Sequence, residues 1–131
     1  MTARPVPLDR WHDVVASQDP ARIADLLADG CVFRSPAVHT PQEGKELTTA
    51  YLAAAMSVLG PTLTYQHEWW DEQSAALRFT AEVDGLTVQG IDMFSWGADG
   101  RLLEFTVMIR PFTALTHVMT AMAAELDQHL G

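Results

Sequence analysis

The chain has 131 residues, 48% of them apolar, and sets 17 Asp and Glu against 8 Lys and Arg, a formal charge of −9. That length suits a single domain, residues 1–131, with a real core, and the apolar share argues against disorder. The acidic balance argues against nucleic acid, whose phosphates need a basic patch, and against anionic membrane surfaces.

"LDRWHDVVAS" puts Leu8, Trp11 and Val15 on one helical face. "QDPARIADLLADG" predicts a second helix, with Asp19 as its N-cap, Pro20 at the first helical position and Gly30 past the end. "CVFRSP" reads as a short strand stopped by Pro36, and "AVHTPQEG" as a loop. "KELTTAYLAAAMSVLGP" predicts a third helix ended by Gly60-Pro61. Three strands follow: "TLTYQHEWW", "SAALRFTAEV" and "LTVQGIDMFSW", the last two joined by a hairpin turn at Asp84-Gly85. A second turn at Asp99-Gly100 leads to the strand "RLLEFTVMIR". A final helix over "PFTALTHVMTAMAAELDQHL" is expected to bury Leu115, Val118, Met119, Met122 and Leu126.

Strands in a run with helices gathered elsewhere predict an α+β fold, in which helices cover one face of a mainly antiparallel sheet. Alternation places Ala75, Leu77, Phe79, Ala81 and Val83 on the covered face, with Leu103, Phe105, Val107 and Ile109 beside them. A curved sheet with such a face makes a cone around an apolar cavity. In "HEWW", His67 and Trp69 share one face and Glu68 and Trp70 the other, so both faces are expected to be covered, one of them by a second copy.

The single cysteine, Cys31, cannot form an intrachain disulfide, the first residues hold no apolar signal-peptide core, and no run is long and apolar enough to span a bilayer. A cytoplasmic location is the expectation. No HxH or HxxxH spacing, Gly-rich phosphate loop or nucleophile elbow is present, so neither a metal nor a cofactor is expected.

One residue stands against this pattern. Asp92 lies between Ile91 and Met93, and its same-face neighbours are Val88, Gly90, Phe94 and Trp96. Ionising a carboxyl among such side chains is costly. Either Asp92 works as a neutral acid, or it is a structural carboxylate bonded to Trp11 or to backbone N–H groups. His39, in the loop expected at the cone's mouth, is either a general base, since an unperturbed imidazole titrates near neutrality, or a solvated loop residue.

The element order resembles the nuclear transport factor 2-like superfamily of cone-shaped α+β proteins. Within it, "VASQDPARIADLLADGCVFRSP" and "GIDMFSWGADGRLLEF" resemble ketosteroid isomerases and the SnoaL-like branch. The resemblance implies that Asp92 stands where the isomerases keep a protonated Asp in an oxyanion hole, the acid held neutral by its apolar site. It also marks departures: Trp11 stands in place of the oxyanion-hole tyrosine, Ser35 in place of the general base, Leu27 and Leu52 in place of supporting tyrosines, and Val107 in place of the cyclases' acid-base Asp. A standard steroid isomerase is therefore not expected.

We expect a homodimeric cone that binds a small apolar molecule, with Phe79, Phe94, Phe105, Val107, Ile109 and Ser35 around it. Any acid-base isomerisation or cyclisation would use Asp92 as donor, Trp11 to orient and His39 to move the proton. The alternatives are a non-catalytic binding or assembly module and an epoxide hydrolase-like enzyme, which would need an Asp-Arg-Asp arrangement.

Overall fold

The β-hairpin predicted at Asp84-Gly85 forms with both residues at positive φ, +52° and +77°. That backbone suits the twist of the flanking strands, and Gly85 accepts it without a Cβ clash. The computed structural model describes residues 3–130, and the side chains of residues 3–128. Helix α1 (Val6–Ser17) is followed by strand β1 (Leu27–Arg34), the two-residue strand β2 (Gln42–Glu43), helix α2 (Lys45–Leu59), strands β3 (Thr64–Trp70), β4 (Ser74–Val83), β5 (Leu86–Trp96) and β6 (Leu102–Arg110), and helix α3 (Phe112–Leu130).

The six strands form one sheet in the order β2-β1-β6-β5-β4-β3. Every neighbouring pair is antiparallel except β1 and β6, which run parallel. Strands β4 and β5 match the predicted bounds and stay in unbroken register, with Leu77 opposite Asp92 and Phe79 opposite Gly90. Leu77 and Phe79 are fully buried beneath the helices. At Gly90 a Cβ would collide with the Phe79 ring and would lie 2.7 Å from the Met108 carbonyl oxygen, so only glycine lets the ring cross β5.

Among the described residues, no helix is long and apolar enough to cross a membrane. Three sequence expectations change in the folded chain. Residues 20–26 form two short 3₁₀ turns, not a helix, and β1 begins at Leu27. Asp19 does cap the first turn, accepting the Ala21 N–H at 3.0 Å. Propagation stops because Leu27 is drawn into the ladder opposite Leu102, and two turns are too few to offset the cost of helix nucleation. In β6, Leu102 is buried and Leu103 is 44% exposed, the reverse of the alternation. The ladder slips between Ser95–Glu104 and Trp96–Leu102, and a bulge of one residue inverts the phase. Among the described side chains of α3 the buried ones are Ala114 and Val118, with Met122 packed against the core one turn on, while Met119 is 42% exposed.

Candidate functional site

Asp92 lies on the covered face at the middle of β5, 6% exposed. It lines a cavity of about 50 Å³ whose walls come from α1, α2, α3 and the sheet. Trp11 and Val15 enter from α1, Leu52, Met56 and Leu59 from α2, Met122 from α3, and Phe33, Tyr65, Phe105, Val107 and Ile109 from the strands. Apart from Asp92, Tyr65, Gln18 and the Trp11 N–H, the described lining side chains carry no hydrogen-bonding group.

Tyr65 connects the polar groups. Its hydroxyl donates to Asp92 Oδ2 at 2.6 Å and accepts from Trp11 Nε1 at 2.9 Å. Asp92 Oδ1 has no hydrogen-bond partner among the described residues. Burial pushes the Asp92 carboxyl up to about 7, outweighing the Tyr65 bond, which pulls the other way. The Tyr65 phenol is raised well above its usual value, chiefly by burial and then by the adjacent Asp92. Beside this pair, the edge of the His12 ring meets Tyr65 with centroids 5.3 Å apart, and His12 Nε2 bonds Glu68 Oε2 at 2.7 Å. Arg4 bonds Glu68 and Asp9, and its guanidinium lies 5.5 Å from the Trp70 ring centre. Burial of Glu68 opposes ionisation, but its bonds from Arg4 and His12 outweigh that and hold its carboxyl below the usual range.

The other sequence-derived candidates are divided. Phe105, Val107 and Ile109 line the cavity with Asp92 and Trp11. Phe94 and Phe79 sit behind that wall: Phe94 packs on Trp11 and Phe105 at 5.7 and 5.4 Å, and Phe79 meets Tyr65 edge-on at 6.3 Å. Ser35 turns back into its own loop, where its Oγ accepts the Ala37 N–H at 3.1 Å. His39 is exposed and does not line the cavity; Pro36 is the one residue of that loop that does. The Trp11 indole does not reach Asp92, since its N–H is taken by Tyr65.

Sequence reasoning missed Tyr65, although it left a signal. Leu63 and Tyr65 share a face two residues apart, and a phenol on a covered face needs a partner for its hydroxyl. A bulge between Tyr65 and His67 then brings Glu68 to the same side as Tyr65. Replacing Tyr65 with Phe should cost about 1–3 kcal/mol, because the Trp11 N–H loses its acceptor in an apolar setting. It should also raise the Asp92 titration midpoint, since the bond from Tyr65 favours the charged form. Urea unfolding and the pH dependence of the Asp92 carboxyl carbon by NMR check the two effects separately.

None of the curated proteins matches the sequence significantly. Among solved structures, a steroid delta-isomerase from Pseudomonas aeruginosa superposes with a TM-score of 0.88 at 31% identity, over 95% of this chain and 91% of that one. An uncharacterised protein with a cystatin-like fold from Silicibacter pomeroyi gives 0.84 at 26% identity, over 91% and 84%. A nuclear transport factor 2-like protein of unknown function from Mesorhizobium loti gives 0.70 at 21%, over 80% and 88%, and bears on the fold alone. The family model of the SnoaL-like domain matches residues 8–105, from the start of α1 into β6: the chain belongs to the SnoaL-like family, within the nuclear transport factor 2-like superfamily.

Proposed function

We propose that the protein binds a small, largely apolar molecule bearing one hydrogen-bond-accepting oxygen, above all a carbonyl, and that neutral Asp92 donates to that oxygen. The observation that supports this most is the unpartnered Asp92 Oδ1 at a largely apolar cavity. With Oδ2 held by the Tyr65 O–H, the acid's own proton sits on Oδ1. A donor in a water-poor site polarises a carbonyl and stabilises the charge that grows on its oxygen, the need shared by isomerisations and cyclisations. The steroid delta-isomerase among the relatives is consistent with that class of chemistry.

Size narrows the ligand. A cavity of about 50 Å³ falls well short of the ~300–1,000 Å³ of a drug-sized pocket. Ligands of a few heavy atoms suit it as it stands, and larger ones require the flexible Met56 and Met122 to swing aside. Among the described lining residues, Asp92 is the sole carboxylate and none is Arg, Lys or His. An Asp-Arg-Asp arrangement for epoxide hydrolysis has no counterpart there, and any proton transfer in the cavity runs through Asp92 itself. A binding module without turnover remains the alternative, and it shares the first half of the test.

Acetone and cyclohexenone, followed by ligand-observed NMR, should bind at pH 5.5 and at least tenfold more weakly at pH 8.5. Asp92→Leu should abolish binding. Binding that ignores pH would overturn the neutral-donor reading. Deuterium exchange at the carbon next to the carbonyl would separate a catalyst from a binder.

We also propose a homodimer through the outer face of the sheet. Met108 is 56% exposed there, beside the half-buried Ile91 and Met93. Trp69, opposite Ala76, joins this face; Trp70, opposite Ala75, lies on the helix side against Arg4. Of the two tryptophans, Trp69 is therefore the one placed to join the contact. Sedimentation at micromolar concentration should show two copies, and Met108→Lys should return one.

A further inference from the structure

A carboxylate buried in a protein is normally either neutral or matched by a cation. Around Asp92 the described residues supply no such match. β4 presents Leu77 opposite it and β6 presents Val107. The cavity walls from β1, α2 and α3 are Phe33, Leu52, Met56, Leu59 and Met122, none of them titratable. From α1 and β3 come Trp11, His12, Tyr65 and Glu68, with Arg4 behind them. His12, Glu68 and Arg4 bind one another and do not line the cavity. Meanwhile four aromatic rings, Trp11, Phe33, Tyr65 and Phe105, do line it.

We propose that ionised Asp92 binds a small primary or secondary alkylammonium ion in this cavity. The inference rests on the same cavity and carboxyl as the carbonyl-binding reading and goes beyond it, assigning a ligand class to the other protonation state. When Asp92 is ionised, Tyr65 keeps its O–H on Oδ2 and Oδ1 is left as a free anionic acceptor. An ammonium N–H satisfies it, and the aromatic walls attract the cation through their π faces. The alkyl group takes the place of apolar contacts that water fills poorly. About 50 Å³, against roughly 30 Å³ per water in the liquid, limits the ion to a few heavy atoms. The chain's charge of −9 raises the local concentration of cations. A carbonyl has only acceptors and an ammonium only donors, so each selects one state of Asp92 and is refused by the other.

The probe is ethylammonium chloride, with ethanol as an uncharged ligand of the same heavy-atom count, titrated by calorimetry and ligand-observed NMR from pH 5.5 to 8.5. With a midpoint near 7, affinity for ethylammonium should rise about 30-fold across that range and level off above the midpoint. Ethanol should show no such rise. Asp92→Asn, which keeps the shape, should remove the pH dependence and most of the binding. Saturating ethylammonium should also pull the Asp92 NMR midpoint downwards in the unmutated protein. Equal affinity at pH 5.5 and 8.5, or undiminished binding by Asp92→Asn, overturns the proposal. Ketone binding at pH 5.5 with no ethylammonium binding at pH 8.5 sinks this inference and leaves the carbonyl reading standing; the opposite pattern does the reverse.

Discussion

Phe105→Ala is expected to destabilise the protein by roughly 3–5 kcal/mol. Phe105 is 1% exposed, and its ring centre lies 4.8 Å from Trp11, 5.4 Å from Phe94 and 6.2 Å from Phe33. Truncation removes the transfer energy of a phenyl group and three aromatic contacts, and leaves a void beside the existing cavity. Total stabilities of about 5–15 kcal/mol make that a large fraction, so the variant should melt many degrees lower. Leu103→Ala is the internal control. Because the β6 bulge turns Leu103 outwards, its loss should cost only about 0.5 kcal/mol. Urea denaturation of both variants checks the pair. A cost at Leu103 as large as that at Phe105 would mean that the bulge is misplaced.

The second large effect is a pH dependence of stability carried by Asp92. Its carboxyl rises from 3.8 to about 7 in the folded chain because burial disfavours the charged form. Below the unfolded value both states are protonated, and the contribution is complete. Between that value and about 7 the unfolded chain releases its proton while the native chain keeps it, so stability falls as pH rises. Above about 7 both are ionised and the loss levels off. At ~1.4 kcal/mol per unit, the total is on the order of 4 kcal/mol. Asp92→Asn cannot titrate and retains one donor, so its advantage over the parent chain should grow from pH 4 to pH 7 and then stay constant. Taking the difference between the two proteins cancels other carboxylates, such as Glu68, whose lowered value acts in the opposite direction. Urea titrations at pH 4, 5.5, 7 and 8.5 supply the measurement. A flat difference would show that the folded chain does not raise the Asp92 carboxyl above its unfolded value, and the neutral donor would have to be given up.

The same two residues mark how far the sequence could be read. Period-two alternation placed Asp92 on the covered face with Val88, Phe94 and Trp96, and the folded chain buries all four. The bounds of β4 and β5 were legible too, because Asp84-Gly85 is a local turn signal and the face of each residue in an uninterrupted strand is a local property. The element order, through its resemblance to a superfamily of cone-shaped proteins, carried the cone. A bulge, by contrast, is a property of two strands at once. Nothing in "RLLEF" alone reveals that β5 and β6 slip by one residue, so Leu103 was assigned inwards and Leu102 was not. Nor does the stretch after Asp19 announce that Leu27 pairs with Leu102 and cuts the expected helix short.

The site shows the same division more sharply. That a carboxyl lies in an apolar setting was local information. What holds it was not: Tyr65 is 27 residues from Asp92 and 54 from Trp11. The partner of Asp92 was sought on α1, at Trp11, and stands instead on β3, where only the closure of helix over sheet brings the Tyr65 hydroxyl within bonding distance of both Asp92 and Trp11. Ser35 was placed at the site by the resemblance and His39 at the cone's mouth by its loop, but His39 is exposed and Ser35 bonds its own loop. The sequence by itself determined the fold class, the acidic charge and the face on which Asp92 lies, because composition and strand period act over short range. Tertiary structure alone decided the partner of Asp92, the free oxygen and the size of the cavity, because hydrogen bonds and voids form between segments that adjacency in the chain does not relate.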